Sequence, residues 1–124
     1  MKSVIISAIL LIAVTAGVTL NSLYTQKTVD TLTEYAEKLS TDTEIQETQK
    51  SIFEHMNTEW EEKKNVLIYL YDYSEIENIE TAFVRIKSAI NSENMAEIAI
   101  YKGELLYFLS RLKELSTLSF KNIL

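Results

Sequence analysis

Cysteine and proline are both absent from the 124 residues, and glycine occurs only at Gly17 and Gly103. Without thiols the chain has no disulfide, no thiolate metal site, no cysteine nucleophile and no leader cysteine for lipid attachment. Without proline, and nearly without glycine, it lacks the residues that punctuate loops and strands. That composition favours long helices joined by short polar connections. Positive charge is scarce as well, with 12 Lys and Arg against 18 Asp and Glu. All 18 acidic side chains and 11 of the 12 basic ones lie beyond residue 26, so that region carries a formal charge of −7. Nucleic-acid binding depends on clustered Lys and Arg. Here only Lys63 and Lys64 adjoin, and no nucleic-acid partner is expected.

Against these absences stands one long apolar run. Residues 4–20 read VIISAILLIAVTAGVTL, preceded only by Met1, Lys2 and Ser3. As a helix these residues span about 25 Å at 1.5 Å per residue, close to the roughly 30 Å hydrocarbon core of a bilayer. Two fates compete. The run is either an uncleaved signal anchor or a leader cut after Val14-Thr15-Ala16, whose small residues suit a signal peptidase. Apolar character continues past that possible cut, which favours the anchor. A short N-terminus ahead of such a helix normally stays in the cytoplasm, so the acidic region is expected to be extracytoplasmic and the protein to sit in the cell membrane.

The remainder reads as helix throughout. Tyr24, Thr28, Thr31, Leu32, Tyr35 and Leu39 share an arc of about 120°, a weak stripe that predicts a stalk continuing the membrane helix. Ser40 to Thr43 favours a break. A second helix is expected from Glu44 to Tyr71, with Ile45, Ile52, Phe53, Met56, Trp60, Leu67 and Leu70 on one face. A third begins at Ser74, where Ser74 and Glu77 have capping-box spacing, and Ile76, Ile79, Phe83, Ile86 and Ile90 form its apolar face. Asn94, three residues before Glu97, is a cap for a fourth helix running from Met95 to Leu118. The apolar stripe of that helix spans about 140°, wide enough for two neighbours. Gly103 lies inside this helix at a cost of roughly 1 kcal/mol relative to alanine, which predicts close approach of another helix backbone. The expected fold is all-α: a transmembrane helix continuing into a stalk, then an antiparallel three-to-four-helix bundle. The boundaries are 1–21 for the anchor, 22–43 for stalk and linker, 44–120 for the bundle and 121–124 for a tail.

Three groups of residues are candidates for chemistry or contact. His55, Glu59 and Glu62 share a helix face and have ligand chemistry. The same spacing is common on solvated faces, and the chain has no second histidine; no metal or other cofactor is expected. Asp72, Glu75, Glu77 and Glu80 crowd one turn, where negative charge at a helix start complements the macrodipole. Tyr69, Tyr71 and Tyr73 alternate ahead of the same turn. They are the candidate partner contacts, since aromatic residues are enriched at interfaces; the competing role is to cover the end of the core. No phosphate loop, nucleophile motif, dinucleotide fingerprint or zinc motif is present, so no enzyme activity is expected.

The run from Thr58 to Leu115 contains Trp60 with the lysines that follow it, the Asp72 to Ile79 turn, the Ala82 to Ile90 helix with Arg85, and a leucine-rich last helix. In these features the chain resembles the bacterial domain of unknown function 4363 family, known mainly from Gram-positive bacteria. The resemblance implies a short N-terminal membrane segment followed by an acidic helical region, and it implies no catalytic residues. The function expected is that of a membrane-anchored interaction protein or accessory subunit of a membrane complex, held to the membrane by residues 4–20. Its partner would be a protein in or near the membrane, or a second copy of the chain. The alternative is an extracytoplasmic domain that senses a ligand or metal.

Overall fold

The computed structural model describes residues 1–39 and 46–123, with side chains through Leu118. Among them are four helices and no strand: α1 (Lys2–Lys38), α2 (Gln46–Leu70), α3 (Tyr73–Asn91) and α4 (Met95–Ile123). The expected break at Ser40 to Thr43 and the expected core residue Ile45 lie outside the described residues.

The helices close into a ring in chain order. Each packs on its sequence neighbours and α4 returns to α1. Among the described residues the backbones of the diagonal pairs stay apart, and only side chains such as Gln49 of α2 and Met95 of α4 meet across the middle. Cross-helix bonds fix an antiparallel register. Tyr71 meets Thr25 between α2 and α1, Lys64 meets Glu80 between α2 and α3, and Glu75 meets Arg111 between α3 and α4. Lys113 meets Asp30 between α4 and α1. The result is an up-down-up-down four-helix bundle.

Periodicity explains the core. Ile76, Ile79, Phe83, Ile86 and Ile90 are all buried, as their shared face requires. Phe53, Met56, Trp60 and Leu67 come from α2, and Ile98, Leu105, Leu109 and Leu112 from α4. Trp60 stacks on Phe83 with centroids 5.7 Å apart and planes 15° apart. Each large aliphatic side chain so buried contributes about 1.5–3 kcal/mol of transfer free energy.

The stretch expected as a stalk is the first helix of the bundle. Val29, Leu32, Ala36 and Leu39 join the core, with Ser22, Thr25 and Thr28 buried beside them. Among the described residues the bundle therefore begins near residue 22, not 44, and residues 22–39 of the expected stalk belong to it. Polar residues are tolerated here because their hydroxyls have partners, Ser22 and Thr28 within the helix and Thr25 through Tyr71. Thr28 Oγ1 donates to the Tyr24 carbonyl at 2.9 Å, which leaves its methyl group to pack.

The helix ends have specific causes. α3 starts one residue earlier than expected, at Tyr73. Asp72 is its N-cap and makes no side-chain cap bond, while Ser74 is exposed and forms no capping box. The Asn94 cap is present: the Glu97 N–H donates to Asn94 Oδ1 at 3.1 Å. Ahead of it Glu93 takes a positive φ of 55°. The Glu93 N–H reaches the Ile90 carbonyl and the Asn94 N–H the Ala89 carbonyl, the paired bonds of a Schellman motif. Lys102 Nζ donates to the Leu39 carbonyl at 2.9 Å and to Glu37 at 3.3 Å, placing positive charge at the C-terminus of α1 where the helix dipole favours it.

Gly103 corrects a second expectation. No atom lies within 4 Å of where its Cβ would stand, so no helix within the chain approaches it closely. The residue is on the outer face of α4. Gly103→Ala should therefore stabilise the bundle by about 1 kcal/mol through helix propensity alone. Urea denaturation measures this, and a destabilised variant would show that the site is tighter than the structure has it.

Candidate functional site

The N-terminal half of α1 is unlike every other surface. Positions 1–14 are all exposed, and an 18-residue window of this helix passes by length and apolarity for a membrane span with none of it buried in the protein. Among the described residues it is the one helix that does so. A membrane anchor and a signal sequence share those properties. No turn or break separates this segment from the bundle, because α1 is continuous from Lys2 to Lys38.

The bundle end nearest the apolar segment, called proximal below, is built from the α2–α3 turn and the last third of α4. A cavity of about 180 Å³ there is bounded by Val18, Asn21, Ser22, Leu70, Tyr71 and Ser116. This cavity sets the turn level with residues 18–22 of α1. The three candidate tyrosines divide at this point. Tyr71 is half-buried, and its hydroxyl donates to Thr25 Oγ1 at 2.9 Å. Tyr69 and Tyr73 project outward with 88% and 71% of their surface exposed. Strict alternation places one tyrosine against α1 and two in solvent.

Burial pushes the Tyr71 phenol above its usual value of 10, outweighing the opposing influence of its hydrogen bonding with Thr25 and Ser116. A phenol held protonated by the fold stabilises it fully below about pH 10, and that contribution is lost as pH rises through the native value. Tyr71→Phe should cost about 0.5–1.5 kcal/mol near neutrality, the net worth of one hydrogen bond. It should also reduce the alkaline loss of stability. Denaturant midpoints at about pH 8 and about pH 11 test this, and an undiminished alkaline decline in the variant would contradict it.

Two of the four acidic residues of the same turn, Glu75 and Glu80, are committed to ion pairs. Arg111 Nε donates to both oxygens of Glu75, at 2.9 and 3.1 Å. Lys64 bridges Glu80 at 2.8 Å and Glu61 at 2.9 Å, and those two hydrogen bonds raise its pKa. Asp72 and Glu77 are exposed. On α2, His55 and Glu62 are exposed, with His55 Nδ1 3.0 Å from the Ser51 carbonyl. Among the described residues no group of three His, Asp or Glu converges as metal ligands would.

Two features were not foreseen as sites. Between α2 and α3 runs an open groove, with cavities of about 260 and 470 Å³ that share Phe53, Asn57 and Lys87. Trp60 and Phe83 line its inner part and Lys64 and Glu80 its rim. Its aromatic residues read as core from the sequence because they are also core. The second feature is the outer face of α4. Ala96, Ala99, Ile100, Gly103, Tyr107 and Ser110 are all exposed and uncharged, and at 100° per residue they lie opposite the core stripe. The wide apolar stripe of α4 dominates its sequence pattern, and the small and aromatic residues of this lane lie at helical spacing on the opposite side.

The chain belongs to the family described as domain of unknown function (DUF4363), whose family profile matches residues 19–123. That match begins where α1 enters the bundle and so includes all four bundle helices. No curated protein and no solved structure matches significantly.

Proposed function

We propose that this DUF4363 family member is a non-catalytic, single-pass membrane protein. Residues 4–20 anchor it, and its four-helix bundle lies outside the cytoplasm and binds a membrane-protein neighbour as an accessory subunit. One observation supports the interaction role above others. On a domain with a formal charge of −7, α4 keeps a lane free of charge from Ala96 to Ser110, ending at Glu114, in which Ile100 and Tyr107 stand 59% and 62% exposed on either side of Gly103. Exposed large side chains beside a glycine form a shallow face that another helix can approach. Because α1 joins anchor and bundle without a break, a partner in the same membrane meets that lane in a restricted orientation, which lowers the ordering cost of association.

The test places a photo-reactive amino acid at position 107 of the full chain in native membranes. Crosslinking to one recurrent membrane protein is expected, and a product of twice the chain mass would identify a second copy as the partner. Repeated recovery of the uncrosslinked chain alone would overturn the reading.

The α2–α3 groove favours a second reading, a sensor that responds to a small ligand. Its aromatic floor, and a rim in which Lys50 and Lys87 stand beside Glu54 while Lys64 is held by Glu61 and Glu80, suit a small amphiphile with an apolar body better than a metal ion. Trp60 is the only tryptophan, so its emission reports occupancy directly. A saturable spectral shift on titration with a fatty acid below its micellar concentration supports this reading, and an unchanged spectrum removes it.

A further inference from the structure

The proximal end of the bundle combines three observations that the interaction role leaves unused. The first is its level. The last turn of the apolar segment, Val18 to Ser22, is flanked by Leu70, Tyr71 and Ser116. With residues 4–20 spanning a bilayer, the turn between α2 and α3 lies at the boundary of hydrocarbon and water. A helix without a break allows no spacer that would lift the bundle away from that boundary.

The second observation is what the turn exposes there. Among the described residues Tyr69 and Tyr73 are the most exposed aromatic side chains of the bundle, at 88% and 71%. Leu20, Leu23, Ile68 and Leu118 are exposed at the same end. In water this is an unfavourable concentration of large apolar groups. At a membrane surface it is favourable, because tyrosine has an apolar ring and a polar tip that match the headgroup zone. Arg111 and Lys113 on α4 are paired with Glu75 and Asp30. Attachment through the turn therefore draws on aromatic and aliphatic contact more than on charge.

The third observation is the reach of α4. Ser116 is level with Ser22 and Tyr71, yet the helix continues to Ile123. Seven further residues advance about 10 Å, running antiparallel to α1 past the floor of the bundle. Their sequence contains Leu118, Phe120 and Ile123, followed by Leu124, with Lys121 as the single charge. On α1, Thr15, Gly17, Val18 and Thr19 are half-buried, while positions 1–14 are exposed.

We propose that the proximal end of the bundle is a lipid-binding surface: Tyr69 and Tyr73 seat in the phospholipid headgroup zone, and the final turns of α4 enter the bilayer beside α1. The occupant is the interface of the same membrane that holds the anchor, so this inference rests on the anchor reading. The domain is then pinned against the bilayer with a fixed tilt, and the uncharged lane of α4 faces sideways toward membrane neighbours.

The lack of cysteine makes a direct test possible. Single variants Ile12→Cys, Tyr69→Cys, Tyr73→Cys, Phe120→Cys and Glu93→Cys of the full chain are spin-labelled in vesicles of phosphatidylcholine and phosphatidylglycerol. Accessibility to oxygen and to a water-soluble nickel chelate is then measured. Glu93→Cys, at the far end, should be open to nickel and Ile12→Cys closed to it. Positions 69 and 73 should lose nickel accessibility relative to 93 and show intermediate oxygen accessibility, and 120 should read deeper than either. Nickel accessibility at 69, 73 or 120 equal to that at 93, with position 12 still deep, overturns the proposal and leaves the anchor standing. Protection of 69 and 73 from both reagents indicates a protein contact there and also overturns it. Nickel access at position 12 rejects the anchor itself.

Discussion

A chain that begins at residue 46 should lose cooperative unfolding, whereas one that begins at Gly17 should keep it. The difference is the second half of α1. Val29, Leu32 and Leu39 are buried in the core with Ala36, and burying each of the three larger residues is worth about 1.5–3 kcal/mol. Their removal also uncovers the faces of α2 and α4 that pack on them. Small domains are stable by only about 5–15 kcal/mol in total, so a three-helix remainder falls near or below zero. Circular dichroism during urea titration distinguishes the two chains. A sigmoidal transition in the shorter one would mean that α2, α3 and α4 form a sufficient core without α1.

The second large effect concerns attachment. Leu11→Arg combined with Ile12→Arg should release the full chain from the membrane. An arginine near the centre of a spanning helix costs roughly 2.5–3.5 kcal/mol on the insertion scale, and two exceed what the remaining short apolar run can offset. The bundle should be unaffected, because Leu11 and Ile12 are 66% and 68% exposed and support nothing in the protein. Unchanged helicity together with loss from the carbonate-washed membrane fraction is the expected result. Retention of the double variant in that fraction would mean that residues 4–20 are not the principal anchor.

The fold was legible where the chemistry of burial is simple. The isoleucine-rich face of α3 and the Asn94 cap needed only periodicity and spacing, and both stand as read. The second half of α1 was misread because its inner face is rich in hydroxyls. Ser22, Thr25 and Thr28 look like solvent-facing residues to any hydropathy measure, yet all three are buried. Backbone bonding such as that of Thr28 to Tyr24 is visible only once the helix exists. Gly103 failed for the opposite reason. A glycine within a helix suggests a close neighbour, but the residue sits on the outer face of α4, and no intrachain packing accounts for it. The tyrosine cluster was found by composition, while its division needed the register. Only the Tyr71 to Thr25 bond distinguishes the structural tyrosine from the two exposed ones. The α2–α3 groove was beyond reach, because a gap between two helices leaves no pattern in either.

One helix that both crosses the membrane and supplies a quarter of the bundle is the claim on which anchoring, orientation and lipid contact all depend. Amide hydrogen exchange of the full chain in lipid vesicles reads it residue by residue. Protection should be continuous along α1 from the apolar segment through Lys38, with no fast-exchanging break at residues 18–25 and with rates at 28–36 matching those of the α3 core. Rapid exchange across residues 22–39 while α2, α3 and α4 stay protected would show a free stalk and contradict it.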